Sequence, residues 1–415
     1  MPELWELARL QLIKSLNFYK YFFYTSFVVS SYFKLNNLGL SEFKYDQMKA
    51  LYVANKCGEG NYFHYAESST SFPQGPLYYL FECAFGTIGV TDYLNLLRLQ
   101  IIVSQIVIFI SFLIFKKFVN ENVLYLAITI YLLNPYLIVS SRNSSTHYHQ
   151  EIFLLLFFYL LLSRNKNKKI SFYLGVITSL AFSAYYLLFV FMICMLFTFA
   201  IVKKLEHFNQ IFFGGLFGFV INGFLYSPYI QSNGLTNIGF NNTSWGISSY
   251  WRILGNFLSG QSIINKVNGS NDYKSLTENY SNFEILINFN SIIVLILFVI
   301  SLFYLIRGRL VEDINLIGIT IFVTYGVLLT LLDIALYPHY YFSMFIFGYV
   351  FLINQIQNIK YLVVIIFIFC ISNILIFTNF NSYIADNGGA LNSDFGKTFE
   401  TCGCCVDDAR TCRGQ

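Results

Sequence analysis

Apolar runs recur along almost the whole chain, broken by short polar gaps and by a few long polar stretches. A helix that crosses a bilayer needs about 17–25 mostly apolar residues. Segments near that length lie at 16–35, 95–116, 121–140, 149–163, 170–183, 185–202, 210–226, 286–306, 314–332, 339–356 and 360–377. The pattern predicts an all-α polytopic membrane protein with about eleven transmembrane helices. Two segments, 149–163 and 170–183, are short, and 170–183 with 185–202 also reads as one helix bent around Ser183-Ala184. The first apolar run begins late and lacks a small-residue cleavage site, which is the pattern of an uncleaved signal anchor.

Basic residues orient the pattern. With the N-terminus cytoplasmic, the short inside loops carry Lys116-Lys117, the RNKNKK run from Arg164 to Lys169, Lys203-Lys204, and Arg307 with Arg309. Every clear basic cluster then falls on one side, as the positive-inside rule requires. The other side receives residues 36–94, the loop 227–285 and the tail 378–415. The chain thus divides into an N-terminal transmembrane module 1–226 with a first external loop 36–94, a large external loop 227–285, C-terminal helices 286–377 and an external tail 378–415.

Composition agrees with the pattern. The 415 residues are 56% hydrophobic and 12% charged, about half the charge of a soluble domain. A net charge of +4 is too small, and too sorted by loop, to argue for nucleic acid. The chain is 20% aromatic with only 6 prolines, a bias that says nothing by itself about sugar stacking. In the tail, Cys402, Cys404, Cys405 and Cys412 suit disulfides in an oxidising compartment better than a zinc site. Cys194 and Cys370 fall within spans as buried thiols.

Chemistry enters with the first external loop. In YDQMKALYVANK, Met48, Leu51, Tyr52 and Asn55 share one helical face behind Asp46. Such a segment suits a juxtamembrane helix, and Asp46 alone reads as an N-cap. Some twenty residues later the chain re-enters apolar sequence through SFPQGPLYYLF; Asn134-Pro135 ends the third span and SSRNSSTHYHQE follows, SFYLGVITSLAF opens the middle spans, and YPHYYF occupies 337–342. This ordered set resembles the GT-C superfamily of membrane glycosyltransferases, especially the protein-mannosyltransferase and aminoarabinose-transferase branch. The resemblance is best over 16–230 and weaker over 314–356. The chain departs from that pattern at Gln47, where several branches carry a second acid, and at His339, where relatives carry arginine.

The resemblance implies transfer of a sugar from a polyprenyl-phosphate donor to a lipid, glycan or protein acceptor on the external face. It implies Asp46 as general base, with Gln47 as a hydrogen-bonding neighbour and Arg142 on the departing phosphate. Arg98 either snorkels outwards or meets the same phosphate. His147 and His149 suit sugar or phosphate contact, an interfacial loop, or with Glu151 a divalent metal; His339 and Tyr340 are a second phosphate candidate. Trp245, Tyr250 and Trp251 suit sugar stacking. No cofactor is required, and a divalent metal stays open. The implied location is a bacterial inner membrane. Glu82 and Asp333 lie near span ends, where an ionisable group is functional if it sits at membrane depth. A transporter or lipid-linked oligosaccharide flippase would place paired ionisable residues at mid-span, and a polymerase would place arginines in large late loops; neither pattern is present.

Overall fold

The computed structural model describes residues 17–43, 45–60, 75–90, 92–142, 147–203, 205–233, 247–266, 269–307, 312–332, 344, 346–357, 361–386 and 397–398. Within these, the side chains of 42–49, 147–148, 229–233, 269–272, 306–307 and 397–398 lie outside the description. Among the described residues the regular structure is helical apart from a two-residue antiparallel pairing of Glu42–Phe43 with Lys397–Thr398. In order, the helices are α1 (Asn17–Leu35), α2 (Tyr45–Gly58), α3 (Pro76–Thr87), α4 (Tyr93–Phe115), α5 (Glu121–Leu133), α6 (Pro135–Ser141), α7 (His147–Ser163) and α8 (Lys168–Ala184). They continue as α9 (Tyr186–Lys203), α10 (Phe208–Asn233), α11 (Ile247–Leu258), α12 (Gly269–Asn279) and α13 (Asn282–Arg307). The last three are α14 (Asp313–Leu331), α15 (Phe347–Ile356) and α16 (Leu362–Asp386).

Each apolar segment of the sequence contains a helix, so the polytopic all-α class holds. The count is smaller than expected. Among the described residues, six helices are long and apolar enough to cross a membrane: α4, α9, α10, α13, α14 and α16. The pair α5 and α6, bent by 61°, makes a seventh if it is one span. The difference from about eleven has a physical reason in each remaining helix. α7 and α8 have 17 residues each and α15 has 10, and α1 dilutes its apolar run with Lys20, Lys34 and several serines and tyrosines.

The ends of the bundle sort as the basic clusters predict. At one end the Arg164 guanidinium donates to both oxygens of Asp313, at 3.0 and 3.1 Å, and Lys203 Nζ lies 2.6 Å from the same carboxylate. Lys166 caps the Phe118 ring there at 5.4 Å. At the opposite end, Arg142 gathers the end of α1 and the far end of α16 through Asn37 and Asn381. Arg164, Lys166, Lys203 and Asp313 therefore share the basic end.

One flank of the bundle closes on small residues. Gly175, Ser179 and Ser183 of α8 recur every four residues and face Gly214, Gly218 and Asn222 of α10, which do the same. A Cβ on Gly175 would stand 2.0 Å from the Ile211 carbonyl oxygen, and one on Gly214 2.0 Å from that of Phe172. Such close approach is the usual solution where lipid removes the hydrophobic drive for helix pairing. It also aligns polar contacts: Ser179 Oγ donates to the Gly215 carbonyl at 2.8 Å, and Asn222 Nδ2 donates to that of Ser179 at 2.7 Å.

Candidate functional site

The bend between α5 and α6 builds the site. Asn134 is fully buried and caps α6, its Oδ1 accepting from the Leu137 amide at 3.1 Å. Its Nδ2 donates to the Phe257 carbonyl at 2.9 Å and to the Tyr349 hydroxyl at 2.8 Å. Pro135, first in α6, has no N–H to satisfy and is preset for a helix start. Gly260, at φ 78°, lets the chain after α11 pass against the Pro135 ring, where a Cβ would stand 2.5 Å from the ring Cγ. The α6 helix runs for 7 residues and delivers Arg142 just beyond its end.

Arg142 is 4% exposed. Its Nη1 donates to Asn381 Oδ1 at 2.8 Å and its Nη2 to the Asn37 carbonyl, while Nε meets no partner. Burial pushes the guanidinium down from its ordinary value to about 10, against a smaller opposing effect of the nearby Tyr93 phenol. It stays charged at neutral pH. Among the described residues no carboxylate pairs with it.

Toward the same end, α1, α4, α5 and α7 enclose a second polar cluster. Glu151 Oε2 accepts from Ser104 Oγ at 2.5 Å and Oε1 from the Tyr131 hydroxyl at 2.9 Å. Lys34, also buried, lies within electrostatic reach of that carboxylate. Gln100 Nε2 donates to both oxygens of buried Glu82, at 3.1 and 2.9 Å, tying α3 to α4. Buried acids satisfied in this way hold helices in register, since an unpaired carboxylate there would be far costlier.

The residues singled out from sequence separate in space. Asp46 and Gln47 lie in the first turn of α2, their side chains outside the description; α2 is fastened to α3 by the Cys57–Cys83 disulfide, and Gly86 of α3 sits against the Ala54 backbone. His149 is fully buried beside Tyr78 and Phe81, with ring centroids 5.1 and 5.9 Å away. His147 heads α7 with its side chain undescribed. Trp245, Asp333, His339, Tyr340 and the four tail cysteines lie outside the described residues. Arg98 is exposed and donates to Asn95 Oδ1 at 2.7 Å. Among the described residues no three or more histidines, cysteines or acids gather as metal ligands.

Trp251 and Tyr250 both bond to the backbone of α14. A π-helical turn at Thr320–Thr324 of α14 disturbs the regular backbone ladder, and α11 packs there. Tyr250, fully buried, donates its hydroxyl to the Ile321 carbonyl at 2.5 Å, and the Trp251 indole donates to that of Phe322 at 2.8 Å. A Cβ on Gly326 would stand 2.4 Å from the Tyr250 ring. Part of the stretch 227–285, expected as an external loop, therefore packs on a membrane helix. Sequence reasoning missed this pairing, the disulfide and the roles of Lys34 and Tyr131; the small-residue spacing in α8 and α10 was visible but was absorbed into the family likeness.

These features define a multi-pass helical membrane protein with a polar, arginine-floored end. A family model described as GPI transamidase subunit PIG-U matches residues 84–256, fewer than half of the chain. No curated protein and no solved structure matches it. The match overturns the expected activity. It covers Arg98, the Asn134-Pro135 break, Arg142, His147, His149, Trp245 and Trp251, much of the ground on which the glycosyltransferase likeness stood, and it points to a transamidase subunit. Sugar transfer from a polyprenyl-phosphate donor, with Asp46 as base, is withdrawn. The transporter, flippase and polymerase alternatives gain nothing from it either.

Proposed function

We propose that the chain is a membrane-embedded subunit of a GPI transamidase assembly, and that its contribution is a lipid-embedded scaffold for the other subunits. The observation that carries the reading is the family match over 84–256. The structure supports it with a bundle in which buried Glu82, Asn134, Glu151, Asn222 and Asn290 tie helix to helix. What this match and the GT-C likeness share is a multi-pass helical scaffold with polar segments gathered toward one side. The partners become protein subunits, the bilayer and GPI, in place of a sugar donor and its acceptors. The bacterial inner membrane falls with the polyprenyl-phosphate reading; the membrane is the one in which GPI is joined to protein. Depleting the chain in cells that display a GPI-anchored reporter should leave the reporter unanchored. Full anchoring after complete depletion would sink the proposal.

The same reading orients the bundle. Disulfides persist in oxidising compartments, and the Cys57–Cys83 bridge supports assigning the α2–α3 end to that side. The basic end with Lys166 then faces the cytosol, in agreement with the positive-inside rule. A cysteine replacing Lys166 should react with an impermeant maleimide only from the cytosolic side, and one replacing Asn36 only from the other. The reverse pattern would invert the topology.

A further inference from the structure

Gln105 takes no part in the clusters described above. It is the thirteenth of the 23 residues of α4, about 18 Å along the helix from Tyr93. A bilayer core is about 30 Å thick, so the residue lies near mid-membrane. It is 6% exposed, and among the described residues neither atom of its amide meets a hydrogen-bond partner. Its polar neighbours on α4 are engaged elsewhere, Ser104 with Glu151 and Gln100 with Glu82. No bulk water reaches that depth to satisfy an amide.

A groove of about 370 Å³ opens there between α1 and α4. Phe27, Ser31 and Leu35 line it from α1, and Ile101, Gln105 and Phe109 from α4. Ile102 and Ile106 are the most exposed of its lining, at 43% and 51%, and no charged residue lines it. Ser31 contributes a small side chain folded back on its own helix, its Oγ donating to the Phe27 carbonyl at 2.8 Å. The lining runs from Phe27 to Leu35 and from Ile101 to Phe109, about 12 Å or two turns of each helix. Two turns is the contact length of one helix crossing another.

Chemistry separates the occupants. An acyl chain would cover the apolar walls but offers an amide nothing, and the polar ends of a lipid lie about 15 Å away at the membrane surface. A second copy docked through the same groove would set one recess against another and leave both glutamines out of reach. A transmembrane helix is convex, and one bearing asparagine, glutamine, serine or threonine carries a hydrogen bond to mid-membrane, the usual polar glue between spans. We infer that the α1–α4 groove is the docking site for a transmembrane helix of another protein, with a hydrogen-bonding side chain of that helix on Gln105. The amide is shielded in the groove, and the glutamine side chain turns about its torsions to meet the incoming group. The inference rests on the subunit reading for the partner's identity and names the surface that this partner takes.

The test places photoreactive benzoylphenylalanine at position 106 of the full chain in native membranes. Irradiation should join it to a membrane-spanning peptide of a transamidase subunit that bears one of those four residues. Gln105→Leu should lower the yield about threefold, the loss of one interhelical hydrogen bond, and Gln105→Asn should retain part of it. In the isolated chain Gln105→Leu should raise the thermal midpoint, because it removes an unpaired buried amide; misfolding then cannot explain the lost crosslink. A lowered midpoint would show the amide already satisfied and overturns the inference. So do lipid adducts alone, a crosslink to a second copy or to residues 1–16 of the same chain, and a peptide crosslink undiminished in Gln105→Leu. Transamidase subunits that still co-isolate with the chain under those results leave the assembly reading standing. A crosslink to a polar-bearing span of an unrelated protein, lost in Gln105→Leu, supports the groove and counts against that reading.

Discussion

Gly175→Ala is expected to destabilise the bundle by about 3 kcal/mol, the upper end of what overpacking usually costs. The new methyl would stand 2.0 Å from the Ile211 carbonyl oxygen and 2.7 Å from the Gly215 amide nitrogen. Both neighbours are backbone, so no side chain can rotate aside and α8 must move away from α10. Separation would also stretch the Ser179–Gly215 and Asn222–Ser179 hydrogen bonds, whose polar groups have no water to turn to inside a membrane. Gly223→Ala on the same α10 is the matched control. Nothing lies within 4 Å of a Cβ there, and its effect should stay within about 0.5 kcal/mol. Thermal unfolding of the two variants in one detergent separates the outcomes; equal midpoints would contradict the close-packed seam.

Asp313→Ala should cost a similar amount by a different route. Asp313 neutralises two cations, and the side chains of Arg164 and Asp313 are 3% and 25% exposed. Removing the carboxylate leaves a buried guanidinium over the Phe199 ring, held by the Leu161 carbonyl alone. Breaking a buried pair from one side costs about 3 kcal/mol or more; partial exposure of the acid places this case at the low end. Lys203→Met should cost less than about 1 kcal/mol, because that lysine is a third exposed and screened. Chemical unfolding should therefore rank Asp313→Ala well below Lys203→Met. The opposite ranking would show that the contact with α14 does not hold this end together.

Much of the architecture was legible because apolar length and basic-loop bias are direct consequences of the bilayer. The joining of Arg164, Lys203 and Asp313 at one end follows from the same bias. The Asn134-Pro135 break inside the expected span 121–140 was not anticipated, although proline after a capping asparagine starts a new helix. The span count was less legible: 17 residues rise only about 26 Å, and periodicity cannot separate a short span from a buried helix. The Cys57–Cys83 bridge was hidden behind the denser tail cysteines. The bond from the Trp251 indole to α14 was not legible, because the π turn that accepts it is a tertiary feature of that helix. Function was the least legible. An acid after the first span, a proline-rich turn and an aromatic re-entry meet needs common to many membrane proteins, so they could not separate one activity from another.

The central claim is that this chain works as one subunit of a GPI transamidase assembly. Affinity isolation of the tagged chain from membranes solubilised in digitonin, followed by native electrophoresis and mass spectrometry, tests it most directly. The account predicts a discrete high-mass complex that contains the other transamidase subunits in fixed ratio. Migration as a lone chain, with those subunits intact in a separate complex, would contradict it.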